Sequence, residues 1–101
     1  MSDIDLDDIR RLDGGLLLVF RELIRHGRTT EAALKLGLSQ PAISHALSRL
    51  RALFNDPLFI HKPHELEPTR RASEVAPKID AIIDIVSQAL TWRPSFERSR
   101  S

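Results

Sequence analysis

Thr29-Thr30-Glu31-Ala32-Ala33-Leu34-Lys35-Leu36-Gly37-Leu38-Ser39-Gln40-Pro41-Ala42-Ile43-Ser44-His45-Ala46-Leu47-Ser48-Arg49-Leu50-Arg51-Ala52-Leu53-Phe54 is the stretch on which the fold turns. Two helical segments meet in it at Gly37. In the first, Thr29 or Thr30 is expected to cap and Glu31 suits the positive end of the helix dipole. Ala32, Ala33, Leu34 and Leu36 supply the helix, and Gly37 closes it. The small alanine pair permits close packing. In the second, Ser39 is the expected N-cap and Pro41 falls in the first turn, where a missing N–H costs nothing, so the helix should run to about Phe54. A short helix, a tight glycine turn and a longer helix are the outline of a helix-turn-helix.

At about 100° per residue, Ile43, Leu47, Leu50 and Phe54 share one stripe of the second helix. Gln40, Pro41, Ser44, His45, Ser48 and Arg49 fall on the other side, and no acid stands among them. A merely solvated face fits this periodicity as well as a nucleic-acid-reading face does. Residue type favours the second, because solvated faces usually mix Glu with Lys, whereas Gln, Ser, His and Arg read base edges or hold phosphates.

Upstream, Asp13 is a good N-cap, and Leu16, Val19, Phe20, Leu23 and Ile24 repeat at helical spacing while Arg21, Glu22 and Arg25 are expected to project elsewhere. This amphipathic helix should end near Gly27. The first eleven residues alternate Asp with Ile or Leu and read as an acidic leader, frayed rather than a short strand. Residues 1–13 hold five aspartates against Arg10 and Arg11, which leaves −3 in a chain whose formal net charge is +1, so the remainder is basic.

Downstream, Asn55-Asp56-Pro57 must end the recognition-type helix. Leu58-Phe59-Ile60-His61 and Glu65-Leu66-Glu67 read as two short strands around a Lys62-Pro63-His64 turn, a β wing. Pro68-Thr69 opens a last helix in which Ala72, Val75, Ile79, Ile82, Val86 and Ala89 repeat at a/d heptad spacing, with Ala76, Ile83 and Leu90 beside them. Such a stripe is longer than the small core should cover. Pro77 interrupts it, so either a kink or a separate first two turns is expected. The polar tail from Arg93 is expected to be disordered.

Length and composition bound the rest. At 101 residues the chain holds one small domain, and with 42% hydrophobic but only 5% aromatic residues its core should be aliphatic, in a mainly α fold. The absence of cysteine excludes a disulfide scaffold, a thiolate metal site and a cysteine nucleophile. The longest apolar run, Leu16 to Phe20, is far short of the ~20 residues of a membrane span. A cytoplasmic protein with no membrane association is the expectation. His26, His45, His61 and His64 lack metal-site spacing, and neither Ser39 nor Ser44 has an identifiable base and acid partner. We therefore expect no catalytic residues, no metal, no cofactor and no enzyme.

The string from Ala32 to Leu47, with Leu50, Asp56-Pro57-Leu58-Phe59 and Pro68-Thr69, resembles the N-terminal DNA-binding domain of LysR-type transcriptional regulators. Asp-Pro-Leu-Phe and Glu67-Pro68-Thr69-Arg70-Arg71-Ala72 look most like the branch with nodulation and aromatic-degradation regulators. The resemblance implies a winged helix-turn-helix whose C-terminal linker helix pairs with that of a second subunit. The organisation expected is a leader over 1–11, the winged DNA-binding domain over 12–68, a linker and dimerisation helix over 69–92 and the tail over 93–101.

By the same resemblance Gln40, Pro41, Ser44 and His45 take the family's major-groove positions, and Ser39, Ser48 and Arg49 complete that face. Thr30 and Thr69 stand where helices meet phosphates. His61 replaces the usual wing arginine, with Lys62 following, and Arg28 replaces a usual serine and adds a phosphate contact. For Arg49, Arg51, Arg70 and Arg71 a solvated or intrahelical role and a DNA-backbone role both remain open. The dimer contact is assigned to Val75, Ile79, Ile82, Ile83, Val86 and Leu90; the alternative is that this stripe folds back onto the first amphipathic helix of its own subunit, which would leave the chain monomeric.

The expected partners are double-stranded DNA and a second copy of the chain. A small-molecule effector is implied only if a further domain exists, since family members carry a larger effector-binding domain after this one. An excised domain and a short relative both stay open. The rival reading is a helical protein-interaction or dimerisation module without specific DNA reading, which explains residues 72–90 but not the outer face of residues 40–54.

Overall fold

The segment expected to fray is helical. In the computed structural model, which describes residues 5–92, α1 spans Leu6–Arg11. The Asp5 carboxylate accepts the Asp7 amide at 2.9 Å, and Asp7 and Asp8 pair one turn on with Arg10 and Arg11. Acids at the positive end and arginines at the negative end of a single turn explain why so short a piece closes. The predicted disordered tail, 93–101, lies outside the described residues.

α2 spans Gly14–His26 and starts where expected, with the Asp13 carboxylate accepting the Leu16 amide at 2.9 Å. It buries Leu16, Val19, Phe20 and Leu23, and its C-cap Gly27 adopts φ 71°. Glu22 departs from expectation: it is buried at 2% exposure rather than projecting outward. Arg21, Arg25 and His26 surround its carboxylate, which makes that burial tolerable.

α3 spans Thr29–Leu36. Its N-cap is Arg28 rather than either threonine, and no side chain caps it. Ala32 and Ala33 are buried, as close packing of this helix requires. Gly37, at φ 67°, reverses the chain into α4, Gln40–Phe54, whose N-cap Ser39 accepts the Ala42 amide at 3.2 Å. Ile43, Leu47 and Leu50 are buried, and Phe54 packs partly buried on the same stripe.

The wing is smaller than the sequence suggested. β1 spans Phe59–His61 and β2 Leu66–Pro68, antiparallel with Ile60 opposite Glu67. Leu58 is left out of the strand because its backbone turns to φ 63° while its side chain plugs the core at 0% exposure. Asp56 anchors this corner, its Oδ2 accepting from the Leu58 amide and the Thr69 hydroxyl, both at 2.8 Å.

α5 runs unbroken from Arg70 to Thr91, through Pro77, so the proline does not divide it. Ala72 and Ile79, on either side of the proline, are both buried. The core thus joins α2, α4, the wing and the first half of α5 around Phe20, whose ring lies 5.7 Å from that of Phe59 and 6.3 Å from that of Phe54.

Candidate nucleic-acid interface

Gln40, Pro41, Ser44, His45, Ser48 and Arg49 are all solvent-exposed on one side of α4. The stripe of Ile43, Leu47 and Leu50 clamps the opposite side to the core, so the outer face is presented on a rigid element. Ser39 is exposed too, but its hydroxyl oxygen is engaged as the cap.

Two features flank this face. On one side stands the start of α3, where Thr30 is exposed and the first turn lacks a side-chain cap. Orphan amides at a helix start attract anions. On the other side of that start lies the wing turn, and between them opens a groove of about 450 Å³ lined by Arg28, Thr29, Thr30, His61, Lys62 and His64. The wing is drawn close by a 2.6 Å hydrogen bond from the Leu66 amide to the Gly27 carbonyl. A Cβ on Gly27 would meet the Leu66 carbonyl oxygen at 3.5 Å, and its positive φ would be strained.

Several expected phosphate contacts have other engagements. The Thr69 hydroxyl donates to Asp56 and accepts the Ala72 amide at 3.1 Å, and a carboxylate on its far side opposes an anion. Its phosphate role is therefore not supported. Arg28 donates from Nε to the His64 carbonyl at 3.2 Å and lies 3.8 Å from Glu31. Lys62 pairs with Glu67 at 3.3 Å. Arg49 reaches back to the leader, donating to the Arg11 carbonyl at 3.4 Å and lying 3.8 Å from Asp13. Arg51 and Arg71 are structural: Arg51 donates to the Pro57 and Phe59 carbonyls at 2.8 and 2.9 Å, and Arg71 lies 5.9 Å over the Phe54 ring. Arg70 pairs along its own helix with Glu74.

The stripe assigned to dimerisation is divided. Ile79 belongs to the domain's own core at 3% exposure, and Val75 and Ile83 are half-buried against that core. Burial within the same subunit removes Ile79 from any contact surface. Ile82, Val86 and Leu90 stay exposed and line an apolar groove of about 260 Å³ with Leu17 and Leu18 of α2. Sequence reasoning had not placed those two leucines. They follow Leu16 in the apolar run at positions beside the core stripe, and both are half-buried, Leu17 packing against the edge of the core, a signal that the helix had a second apolar neighbour to meet.

Among the described residues, no helix is long and apolar enough to cross a membrane, and no group of three His, Cys, Asp or Glu stands close enough to hold a metal ion.

Comparison with known proteins fits this geometry. The family profile described as "Bacterial regulatory helix-turn-helix protein, lysR family" matches residues 15–73. The HTH-type transcriptional regulator PhcA of Ralstonia nicotianae is 45% identical over 74 residues, which are 73% of this chain and 21% of PhcA. The HTH-type transcriptional activator NahR of Pseudomonas putida is 39% identical over 90 residues, 89% of this chain and 30% of NahR. A solved probable transcriptional regulator from Pseudomonas aeruginosa superposes with a TM-score of 0.78 at 42% identity, covering 87% of this chain and 30% of that one. The DNA-binding domain of CbnR, solved as a complex with DNA, shares the fold alone: TM-score 0.72 at 22% identity, over 88% of this chain and 95% of that one. The chain spans less than a third of the length of the curated relatives it matches.

Proposed function

Because the chain belongs to the lysR family of bacterial regulatory helix-turn-helix proteins, we propose that it binds double-stranded DNA sequence-selectively and regulates transcription, with α4 in the major groove. The observation that carries this reading is the acid-free, solvent-exposed face of α4 from Gln40 to Arg49, held rigid by the core behind it. Gln40 and Ser44, at the start of the helix, read base edges, glutamine having the geometry for a bidentate contact with adenine. Pro41, His45 and Ser48 complete that surface. Thr30 with the uncapped start of α3, Arg28, His61 and Lys62 hold the phosphate backbone on the wing side.

The protein acts as a homodimer through the exposed part of α5, works in the cytoplasm where bacterial DNA is reached, and performs no catalysis. Duplexes selected from a random pool by the purified protein test this reading. A recurring motif should emerge whose binding falls about a thousandfold or more between ~50 and ~200 mM salt, as expected for several neutralised phosphates. A pool that yields no motif, or binding indifferent to salt, would leave the apolar groove as the functional surface instead.

A further inference from the structure

Among the described residues Glu22 is the one charged side chain buried in the core, at 2% exposure. A carboxylate so placed must be paired, and Arg21, Arg25 and His26 approach it at 3.3, 3.6 and 3.1 Å. The contacts do not stop there. His26 meets Glu22 with Nε2 and presents its other ring nitrogen, Nδ1, to Glu31 of α3 at 3.5 Å. The second oxygen of Glu31 lies 3.8 Å from Nη1 of Arg28, and Nε of Arg28 donates to the His64 carbonyl in the wing turn. One unbroken series of polar contacts therefore leaves the core of α2, crosses the start of α3 and ends in the wing. Its outer end lies in the groove lined by Thr30, His61 and Lys62.

We infer that Glu22 and His26 are positioning residues for DNA binding, setting through Glu31 where the Arg28 guanidinium stands in that groove. This rests on the reading of Arg28 as a phosphate contact. An arginine on an exposed helix start has many rotamers, and fixing it before DNA arrives removes an ordering cost from binding. With Nε and Nη1 engaged, Nη2 keeps both of its N–H donors for an anion in the groove that Arg28 helps to line. The wing does not need the series to stay in place. The Leu66 amide is bonded to the Gly27 carbonyl at 2.6 Å and the Lys62 amide to the Glu65 carbonyl at 2.8 Å, both through backbone alone. Breaking the series at His26 should thus loosen Arg28 without unfolding the wing.

The test uses the full chain and a random-sequence duplex, because a phosphate contact is independent of sequence. Arg28→Ala should weaken binding about tenfold and reduce the steepness of the salt dependence by about 0.9 in log–log slope, one phosphate's worth. His26→Ala should weaken it about threefold and speed solvent exchange of the Arg28 Nε–H, followed by NMR in the free protein. His26→Gln, whose amide offers two N–H donors to the flanking carboxylates, should restore most of both losses. In the Arg28→Ala background His26→Ala should change nothing further. Glu22→Gln, if it remains folded, should behave as His26→Ala does. Losses from His26→Ala and Arg28→Ala that simply add, or Arg28 exchange unaltered in His26→Ala, would overturn the positioning role. An unchanged salt slope in Arg28→Ala would instead sink the phosphate contact on which it rests, while the exchange measurement still reported whether His26 holds Arg28.

Discussion

Arg51 and Glu22 are charged residues on amphipathic helices, and each is used for something that periodicity does not express. The Arg51 fork spans the Pro57 and Phe59 carbonyls and so ties the end of α4 to the entry of the wing. Arg51→Ala should lower stability by about 1–3 kcal/mol, the usual loss when charge-assisted hydrogen bonds to backbone are removed, seen as a lower urea midpoint. The salt slope of DNA binding should stay the same. Gln40→Ala should do the reverse, leaving the urea midpoint in place and costing about 1–3 kcal/mol on the selected duplex but almost nothing on random DNA. Equal losses on both duplexes would show that Gln40 does not read a base. Ser39, Asp13 and Gly37 were legible from the sequence because capping is settled within three residues. Glu22 was not. It sits three residues after Val19, at the edge of an apolar face that proved wider than its aliphatic positions indicated, and its acceptability depends on side chains around it.

Elements were legible in proportion to their length. α4, with four apolar positions in register and a cap at its start, lies where the periodicity put it. α1 has six residues, too few for a period to show, and forms through one cap and two ion pairs. Its contact with Arg49 gives it a consequence. Residues 1–11 carry more acid than base, and the Arg11 carbonyl engages Arg49 on the face of α4 proposed to meet DNA. A chain lacking residues 1–11 should bind DNA several-fold more tightly at low salt, with the gain fading as the Debye length shrinks to about 8 Å near physiological salt. Unchanged affinity at low salt would mean that the leader does not compete for Arg49. α5 is continuous through Pro77, held by burial of Ala72 and Ile79 on either side. Pro77→Ala restores a backbone donor and removes a steric clash, so it should raise stability by about 1–3 kcal/mol in urea unfolding.

At the scale of the molecule, the 22 residues of α5 extend about 33 Å, and the core covers only the first half. The heptad pattern announced a long apolar stripe but not where the domain's own packing would stop. Exposure rises from 3% at Ile79 to 40% at Ile82, and Ile83 is the last side chain of the helix that still packs against the core. Beyond it Val86 and Leu90 are 49% and 78% exposed, and with Leu17 and Leu18 they form one apolar groove. Each large aliphatic side chain left in water forgoes about 1.5–3 kcal/mol of burial, so pairing with the same surface of a second copy is favoured. In the proposed dimer two recognition helices would meet one duplex, and the second contact would become intramolecular. Their bases should lie on one side of the DNA, at half-sites about one helical turn or a multiple apart. Ile82→Glu should split the dimer at micromolar concentration in sedimentation while leaving the fold intact by circular dichroism, because Ile82 lies outside the core. Binding to a duplex with two half-sites should then drop by about a hundredfold or more, toward the affinity of a single half-site, which itself should hardly change. A parent protein that sediments as a monomer, or an Ile82→Glu variant that stays dimeric, would move the contact away from this groove.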